Sequence, residues 1–425
     1  MMKAYPEYKE SGINWIGDIP NHFNLVKMKY LCDIQTGEKD TVDADPEADY
    51  DFYVRSKKIY KISSYSFDCK AVLMPGDGDV GNIFHYVDGK FDFHQRVYMM
   101  NNFANTDSRF FYYYLSGLFI RVAKDGSAKT TVDSLRLPTL KNFWFTLPSL
   151  LEQENIAKFL DVNTSRIDNL IAEKENFIKL LSEKRQALIS HVVTKGLNPN
   201  VPMKDSGVEW IGEIPEHWEV SPIKHYISSV KSGTSVNAAN VPASENEIGV
   251  LKTSCVSSGE FNYKQNKTVI SEDLDRVTCK VESRSLIVSR MNTPELVGAA
   301  GYVRECPDNI YLPDRLWQLN AIENLENEYI HFWTQSPSYR TQVNLCCIGT
   351  SDSMQNLSQE KFKNFYIAIP PIEEQIKLIE EVNKQSFLLE KIKSETINSI
   401  ELLKEHRTAL ISAAVTGKID VREIA

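Results

Sequence analysis

The chain has 425 residues, of which 42% are hydrophobic and 25% are charged, and its formal net charge is −9. This composition excludes a disordered or collagen-like chain and predicts at least two folded domains, because one hydrophobic core seldom organises so many residues. The N-terminal stretch is polar and no apolar run approaches the roughly 18 residues that cross a bilayer, so we expect a cytoplasmic protein without a membrane segment.

The acidic net charge disfavours a polyanionic partner for the chain as a whole, because neutralising phosphates requires a surplus of lysine and arginine. Residues 21–147 contain sixteen basic and sixteen acidic side chains, but seven of the acids lie between Glu38 and Asp51. Without residues 38–51, fifteen basic and nine acidic side chains remain in this region. A local basic face is therefore compatible with an acidic chain, and charge alone does not decide the partner.

The first recognisable element, SGINWIGDIPNHF at residues 11–23, returns as SGVEWIGEIPEHW at residues 206–218. Eight of the thirteen positions are identical, at a constant offset of 195, which indicates an internal duplication. The repetition favours an architectural role over a catalytic one, so we expect an apolar plug that joins each domain to the end of the long helices, with the histidine making a hydrogen bond there. The recurring aromatic and histidine side chains are Trp15, His22, Trp210 and His217.

Two inserts of unrelated sequence follow the repeated element, one in each half of the chain. The second is longer by 27 residues, because the downstream matches lie at an offset of 222 instead of 195. We expect each insert to form a mixed sheet with helices packed beside it. Within the first, FFYYY at residues 110–114 is predicted as a core helix, in preference to a platform for stacking bases.

Each insert is followed by a predicted long helix. The first begins after Pro148, where Ser149–Glu152 has the form of a capping box, and the second begins after Pro370-Pro371. Apolar residues recur every seventh position in both, with a break at Lys174 and at Thr396, and Gly196 and Gly417 are predicted to end the helices. The predicted packing residues are Leu160, Ile167, Leu170, Leu181 and Leu188 in the first helix, and Val382, Leu389, Ile392, Leu403 and Leu410 in the second.

These elements predict an α+β chain with a pseudo-two-fold internal repeat, in which two long antiparallel coiled-coil helices separate two α/β domains. The helices are antiparallel because the second insert begins where the first helix ends, so the second helix must run back. The predicted segments are the first domain at 1–147, the first helix at 148–197, the second domain at 198–369, and the second helix with its tail at 370–425.

The repeated words W-I-G-x-I-P-x-H, P-x-x-x-E-Q and R-x-A-L-I-S resemble those of the specificity subunits of type I restriction-modification systems, and the resemblance covers essentially the whole chain. It implies that each variable region is a target-recognition domain reading one half of a bipartite site in double-stranded DNA. It also implies that the paired helices set the distance between the half-sites and dock two copies of a methyltransferase subunit. Whether restriction and translocase subunits join is left open.

Within the first insert, the resemblance rests on Val54-Arg55-Ser56 and on residues 94–98, and aromatic residues alternate there with basic ones. Such a surface suits phosphates and base edges, and the forked arginine side chain can bind guanine in two places. An edge strand with ordinary salt bridges remains the alternative. The candidate DNA contacts are Arg55, Lys57, Lys58, Gln95 and Arg96.

In the second insert, a polar cluster follows the apolar run at residues 286–288, where a strand is expected to enter a loop. The alternative is an arginine that closes its own turn. The candidate contacts are Ser289, Arg290, Asn292 and Thr293, with Lys252 and Arg315 as weaker candidates. Residues 126–129 and 349–351 resemble phosphate-binding turns, although ordinary loops are the favoured interpretation for both.

The chain lacks the sequence words of the enzymes that act on DNA. It has no N/D-P-P-Y/F word and no G-x-x-x-x-G-K-[ST] loop, and its seven cysteines show no C-x-x-C spacing. We therefore expect no catalytic residue, metal site or cofactor in this chain, with S-adenosylmethionine, ATP and magnesium on partner subunits. Two alternatives remain: a structural adaptor that joins two proteins through its paired helices, and a self-sufficient DNA enzyme.

Overall fold

The computed structural model describes residues 3–123, 135–351 and 354–422. Contacts within the chain divide it into unit 1, Met1–Glu175 with Thr396–Ala425, and unit 2, Asn176–Glu395. Each unit therefore contains one insert and part of each long helix. It also contains the repeated segments that flank the insert, which we call the frame.

The elements of the first half are the strands and helices β1 (Tyr8–Glu10), β2 (Asp18–Pro20), β3 (Asn24–Lys27), β4 (Asp33–Thr36), β5 (Tyr50–Tyr53), β6 (Ile59–Ile62), β7 (Phe67–Pro75), β8 (His85–Phe93), β9 (Val97–Asn101), α1 (Ser108–Leu118), α2 (Ile120–Ala123), α3 (Leu137–Lys141), β10 (Trp144–Leu147) and α4 (Leu150–Lys195). Those of the second half are β11 (Met203–Asp205), β12 (Glu213–Pro215), β13 (Glu219–Pro222), β14 (Ile227–Ser232), β15 (Ala238–Ala239), β16 (Gly249–Leu251), β17 (Asn266–Val269), β18 (Leu286–Ser289), β19 (Met291–Asn292), β20 (Ala300–Tyr302), β21 (Ile310–Tyr311), β22 (Leu316–Ala321), α5 (Asn327–Thr334), α6 (Pro337–Cys346), β23 (Ile348–Ser351), β24 (Met354–Asn356), α7 (Gln359–Lys363), β25 (Tyr366–Ile369) and α8 (Ile372–Val415).

The frame of each domain is closed by its first and last strands. β1 pairs with β2 and β3 with β10 in unit 1, and the equivalent pairs β11–β12 and β13–β25 form in unit 2, all antiparallel. The Met28 amide donates to the Phe143 carbonyl at 2.9 Å, and the Ile223 amide donates to the Phe365 carbonyl at 2.8 Å. The repeat therefore extends beyond the two matching words, to the strands that bring both ends of each insert together.

The first insert is a six-stranded mixed sheet of order β4-β9-β7-β8-β5-β6, in which β5 and β8 are parallel. The sheet is strongly curled. Tyr53 in β5 pairs with Phe93 at the end of β8, yet Ser56, three residues further on, accepts a hydrogen bond at 3.0 Å from His85 at the start of β8. The expected core helix is confirmed, because α1 buries Phe110 and Tyr114 completely.

The second insert uses smaller sheets. A four-stranded antiparallel sheet has the order β14-β22-β18-β20, a second sheet has the order β15-β17-β16-β21 with β16 and β21 parallel, and β19, β24 and β23 form a third. Helices α5 and α6 bury Tyr329, Trp333 and Tyr339 against this core. The expected mixed sheet with helices beside it is therefore present in the first insert, whereas in the second insert helix α5 packs against the antiparallel sheet and the mixed sheet is a separate one.

The long helices α4 and α8 have 46 and 44 residues and pack against each other within each unit. In unit 1, Leu160 of α4 shares a core with Leu410 of α8, and Arg407 donates to Asp168 at 2.8 Å. In unit 2, Val192 of α4 shares a core with Val382. The start of α4 therefore meets the end of α8 in one unit, and the reverse holds in the other. Leu160, Ile167, Leu181, Val382, Leu389 and Leu410 are buried, and Leu188 and Leu403 are half-buried.

Leu170 and Ile392 depart from the prediction, because their side chains are 40% and 41% exposed. The buried and half-buried positions along each helix, which form its packing seam, follow each other after four and then three residues. Ile171 and Lys393 therefore lie in the seam instead of Leu170 and Ile392. The packing continues where the apolar series is interrupted, since Thr396 is buried and Lys174 is half-buried within the seam. Hydropathy alone misses such positions, because a lysine can bury its aliphatic stem and keep its ammonium group in water.

The helix ends follow the prediction in part. Gly196 and Gly417 both have φ +71, the left-handed conformation that favours glycine after a helix. At the start of α4, the Glu152 amide donates to the Ser149 hydroxyl at 3.4 Å. The second half of the expected capping box is wrong, because the Glu152 carboxylate instead accepts a hydrogen bond from the Tyr5 hydroxyl at 2.7 Å.

The repeated histidines bind the glutamates of the repeated P-x-x-x-E-Q words. His22 contacts Glu152 at 3.0 Å and His217 contacts Glu374 at 2.8 Å, which confirms the expected hydrogen bond. The plug itself is formed by the isoleucines and the last aromatic of each word. Its fully buried residues are Ile19, Phe23, Ile214 and Trp218. Trp15 is half-buried on Phe143, and Trp210 is 36% exposed, so its expected burial is wrong.

The glutamines of those words tie each long helix to its domain. Gln153 is fully buried; its oxygen accepts hydrogen bonds from Thr106 and from the Asp107 amide, and its nitrogen donates to the Pro148 carbonyl at 2.9 Å. Gln375, also fully buried, accepts from the Glu326 amide and donates to the carbonyls of Asn324 and Pro370. The same side chain thus makes equivalent backbone contacts in both domains.

Candidate nucleic-acid interface

The curled sheet of the first insert brings three of its turns together. Arg55 follows β5, Asp77 follows β7, and Arg96 lies between β8 and β9. The Gly76 amide donates to the Arg96 carbonyl at 2.8 Å, which ties two of these turns by their backbones. The residues predicted from separate sequence words, Arg55 and Arg96, are therefore neighbours in the folded protein.

The carboxylate of Asp77 lies between the two guanidinium groups. Arg55 Nη1 lies 2.9 Å from Asp77 Oδ1, and Arg96 Nη1 lies 2.9 Å from Asp77 Oδ2. Asp77 is 13% exposed, whereas the arginine side chains are 44% and 62% exposed. Partial burial works to raise the pKa of Asp77, but the hydrogen bonds and charges of the two arginines outweigh it and hold that pKa below its usual range. We call these three residues the Asp77 cluster.

Gln95 lies beside the Asp77 cluster and is held by a second carboxylate. Its amide nitrogen donates to Asp40 at 2.7 Å, and the buried His94 lies 3.4 Å from the same carboxylate. His94 Nδ1 in turn accepts the Arg96 amide at 2.9 Å. Backbone hydrogen bonding from Thr41, together with Gln95, holds the pKa of Asp40 below its usual range. The turn that carries Gln95 and Arg96 is thus fixed through its backbone as well as its side chains.

Lys57 and Lys58 are exposed in the loop that follows β5. Lys58 Nζ lies over the ring of Tyr60 at 5.1 Å. The bond between His85 and the Ser56 carbonyl anchors this loop to the sheet. All five candidates of the first insert therefore lie on connections around the rim of one curled sheet, and all five are exposed.

The candidates of the second insert have mainly structural contacts. Ser289 is wholly buried, so its prediction as a DNA contact is wrong; its hydroxyl accepts a hydrogen bond from Asn292 at 3.3 Å. The Asn292 side chain also accepts the Thr293 amide at 2.9 Å, which shapes the turn after β19. Asn292 is half-buried and Thr293 is exposed, so within this short cluster Thr293 presents the most surface.

Arg290 and Arg315 are joined through their backbones. The Arg290 amide donates to the Arg315 carbonyl at 3.1 Å, and the Leu357 amide donates to the Arg290 carbonyl at 2.8 Å. Arg315 is exposed, whereas Arg290 Nε is buried without a hydrogen-bond partner among the described residues. Lys252 follows β16 in a different sheet and is half-buried. The second insert therefore gathers Arg290, Arg315, Asn292 and Thr293, but no carboxylate bridges its two arginines in the described ranges.

The two sequence segments that resemble phosphate-binding turns differ in what can be said of them. Residues 126–129 lie outside the described residues, and residues 349–351 belong to β23, which pairs with β24, so a loop there is wrong. Across the described ranges, no three His, Cys, Asp or Glu side chains are grouped to hold a metal ion, and no helix is long and apolar enough to span a membrane. All seven cysteines are unpaired, three buried and four half-buried.

The residues that sequence reasoning missed are the ones that hold the candidates. Asp77, Asp40, His85 and His94 contact the predicted arginines, glutamine and lysine loop, yet none lies next to its partner in a recognisable motif except His94. One signal does mark Asp77: it lies in a glycine-rich turn, GDGD at residues 76–79, directly after an apolar strand. Which of the many acids binds which cation depends on how the sheet curls.

A family model described as "Type I restriction modification DNA specificity domain" matches residues 20–180 and 215–402. The chain is similar to the EcoKI specificity subunit of Escherichia coli K12, with 20% identity over 72% of this chain and 64% of that protein. It is also similar to the MjaVIII specificity subunit of Methanocaldococcus jannaschii, with 26% identity over 67% of this chain and 64% of that protein. The match thus spans less than two thirds of these relatives.

Two solved structures share the fold. One comes from a study of complex assembly and conformational transition of the type I R-M system, with a TM-score of 0.68, 12% identity, and coverage of 94% of this chain and 99% of that one. The other is the HsdS subunit of Thermoanaerobacter tengcongensis, with a TM-score of 0.50, 12% identity, and coverage of 94% and 98%. Because the family model matches both halves of the chain, including both frames, the protein belongs to the family of type I restriction-modification DNA specificity proteins.

Proposed function

We propose that this chain is the DNA sequence-specificity subunit of a type I restriction-modification complex, and that each of its domains reads one half of a bipartite site. The observation that supports this most is the pairing of two equal frames with two unlike inserts. A frame that is repeated contact by contact has one task, whereas inserts that differ in strand order can each have their own target. In this proposal the chain is non-catalytic and acts in the cytoplasm.

In the first domain, the proposed DNA contacts are the rim residues around the Asp77 cluster. Arg55 and Arg96 suit guanine edges or phosphates, Gln95 suits adenine, and Lys57 and Lys58 suit phosphates. All five are exposed, and the arginines keep donors that Asp77 does not use. In the second domain we propose Arg290, Arg315, Asn292 and Thr293, with Lys252 as the weakest candidate.

We further propose that α4 and α8 form an antiparallel coiled coil that sets the distance between the half-sites. The seven-residue seam of both helices and the ion pair between Arg407 and Asp168 support this arrangement. Insertion of one heptad into each helix, near Lys174 and Thr396, keeps the seam in register and adds about 10 Å, or about three base pairs. The tolerated spacer should then lengthen while both half-site words remain; altered words would contradict the proposal.

Exposed apolar side chains at equivalent positions of the two units favour two copies of one partner, which we propose to be the methyltransferase subunit. Leu170 and Leu402 are exposed in unit 1, and Ile392 and Leu180 occupy the equivalent positions in unit 2, where they are exposed too. Exposed apolar side chains that recur at both places mark a contact surface that the repeat has kept. S-adenosylmethionine would be bound by those partners, and ATP and magnesium by a restriction and translocase subunit if one joins.

The decisive experiment is long-read methylation mapping of DNA from cells that express this chain with its neighbouring methyltransferase, compared with cells that express the methyltransferase alone. A split methylated motif that requires this chain would establish the function and reveal both half-site words. If both proteins are soluble and associated but no new motif appears, that result would favour a structural adaptor over a specificity subunit. Methylation or cleavage by the chain alone would instead establish a self-sufficient enzyme.

The acidic net charge of −9 is the observation that favours the adaptor. DNA binding and peptide binding differ in their response to salt, because each neutralised phosphate releases counterions. Affinity for DNA that falls steeply between about 50 and 200 mM salt would support the specificity subunit. A partner affinity that is nearly independent of salt, without DNA binding, would support the adaptor.

A further inference from the structure

Asp77 is the only described carboxylate that contacts both exposed arginines of the first rim. Each of its oxygens takes one Nη1 group, so each guanidinium gives up one of its five N–H donors. The Nη2 and Nε donors of both forks remain for another partner. Asp77 thus holds the two guanidinium groups side by side, while most of their donors stay available for another ligand.

Holding the two side chains has a physical consequence for binding. A free arginine loses much rotamer freedom when it is fixed against a ligand, whereas one that is already held loses less. Two neighbouring guanidinium groups also repel each other, and a carboxylate between them removes that repulsion. Asp77 therefore favours the arrangement in which Arg55 and Arg96 point out together from adjacent turns.

The same carboxylate has an opposite effect on phosphates. Its negative charge leaves the cluster with a net charge of +1 instead of +2, which weakens the attraction for any DNA backbone. A residue that lowers general attraction while it orders the readers increases the ratio of specific to non-specific binding. That ratio is what a sequence-reading protein requires.

We propose that Asp77 is a positioning residue that holds Arg55 and Arg96 as one base-reading pair and so determines the specificity of the first half-site. This inference rests on the proposed function. It assigns to Asp77 an effect on sequence discrimination that is limited to one domain, together with an effect of opposite sign on non-specific affinity.

The test uses the full chain assembled with its methyltransferase and compares Asp77→Asn with the wild type. Bound DNA is selected from a library randomised in both half-sites and sequenced, and affinity is also measured on a duplex that lacks the site. Asp79→Asn is the matched control, since Asp79 is an exposed acid in the same turn that binds Asn82 instead of an arginine. Both variants remove one negative charge, but only Asp77→Asn removes the carboxylate that contacts Arg55 and Arg96.

For Asp77→Asn we expect about tenfold weaker discrimination at one or two positions of the first half-site, the size of one good arginine–guanine contact. The second half-site should be unchanged, and affinity for the duplex without the site should rise about threefold. Asp79→Asn should change neither half-site. Equal loss in both half-sites, or weaker binding to all DNA, would indicate a merely structural role and overturn the inference.

Failure of the inference and failure of the proposed function give different results. If the wild-type complex selects no split motif, the proposed function fails. If the wild type selects a split motif and Asp77→Asn selects the same motif with equal discrimination, only the role of Asp77 is overturned. Circular dichroism of each variant checks that the chain is folded.

Discussion

Unit 1 and unit 2 hold their long helices by equivalent contacts, but the candidate DNA contacts of the two units have different surroundings. In both units, a buried glutamine at the start of the long helix donates to the proline carbonyl that precedes the helix, and a histidine binds the glutamate just before that glutamine. In unit 1 the candidate readers lie exposed on a sheet rim around Asp77, whereas in unit 2 Ser289 is buried and Arg290 is joined by its backbone to Arg315. A frame can thus stay constant while the surface that it presents changes.

The largest expected effect tests whether the two frames are energetically equal. Gln153→Ala and Gln375→Ala should each destabilise the chain by about 3 kcal/mol, because each removes three hydrogen bonds from a fully buried amide to buried or partly buried groups. Urea denaturation followed by circular dichroism measures both. Lys184→Ala, on the exposed face of α4, is the control. Unequal losses at the two glutamines would break the equivalence.

The second prediction sharpens the comparison at the helix ends. Gly417→Ala should cost about 3 kcal/mol, because its Cβ would overlap the ring of Pro20 in addition to the strain of φ +71. Gly196→Ala should cost about 1.5 kcal/mol, since its Cβ would lie 3.3 Å from Trp218 and the backbone strain is the same. Thermal unfolding of both variants gives the ranking. Equal costs would show that Pro20 moves aside easily.

The third prediction separates the units by pH. His331 is fully buried in unit 2; burial lowers its pKa, and Nδ1 has no hydrogen-bond partner in the part of the chain that the structure describes. The unfolded chain therefore takes up the proton first, near pH 6.5. The stability that the neutral imidazole contributes is present above that pH and is lost as the pH falls toward the lowered folded pKa, by up to about 1.4 kcal/mol per pH unit.

Urea titrations at pH 7.5 and 5.5, followed by tryptophan fluorescence, measure this loss. The signal comes largely from unit 2, which buries Trp218, Trp317 and Trp333. His331→Gln should flatten the pH dependence, and the exposed His191→Gln should leave it unchanged. A slope that survives in His331→Gln would assign it to other groups.

The smallest expected effect concerns the two seam residues that depart from the prediction. Leu170→Ala and Ile392→Ala should each cost less than about 1 kcal/mol, because about two fifths of each side chain is already exposed. The buried Ile167→Ala in the same helix should cost about 3 kcal/mol. Calorimetry gives both values. In pull-downs with the methyltransferase, the exposed pair should matter more than its stability cost suggests.

Much of the fold follows from the repeat. The matching words locate both frames, and their offset shows which residues are equivalent, so Gln153 and Gln375 can be paired by sequence position alone. The seven-residue pattern predicts both long helices and most of their buried positions. It fails at Leu170 and Ile392, where an apolar residue beside the seam is indistinguishable by hydropathy from one within it.

The candidate site is predicted less completely. The basic residues Arg55 and Arg96 can be selected by type and by neighbouring aromatics, whereas Ser289, selected as part of a polar cluster at a strand end, is buried. Side-chain type states what a residue can bind, whereas exposure depends on which turn of the sheet carries it. A polar cluster at a strand end can therefore be either a reading surface or an internal cap.

By itself the sequence determines the duplication, the length of the helices, their glycine ends and the absence of recognisable catalytic words, because each of these is a local or periodic property of the chain. Only the tertiary structure brings Asp77 between Arg55 and Arg96, residues that are 22 and 19 positions away from it. The reason is physical: the curl of the sheet joins turns from three different strands, and no local pattern encodes which turns will meet.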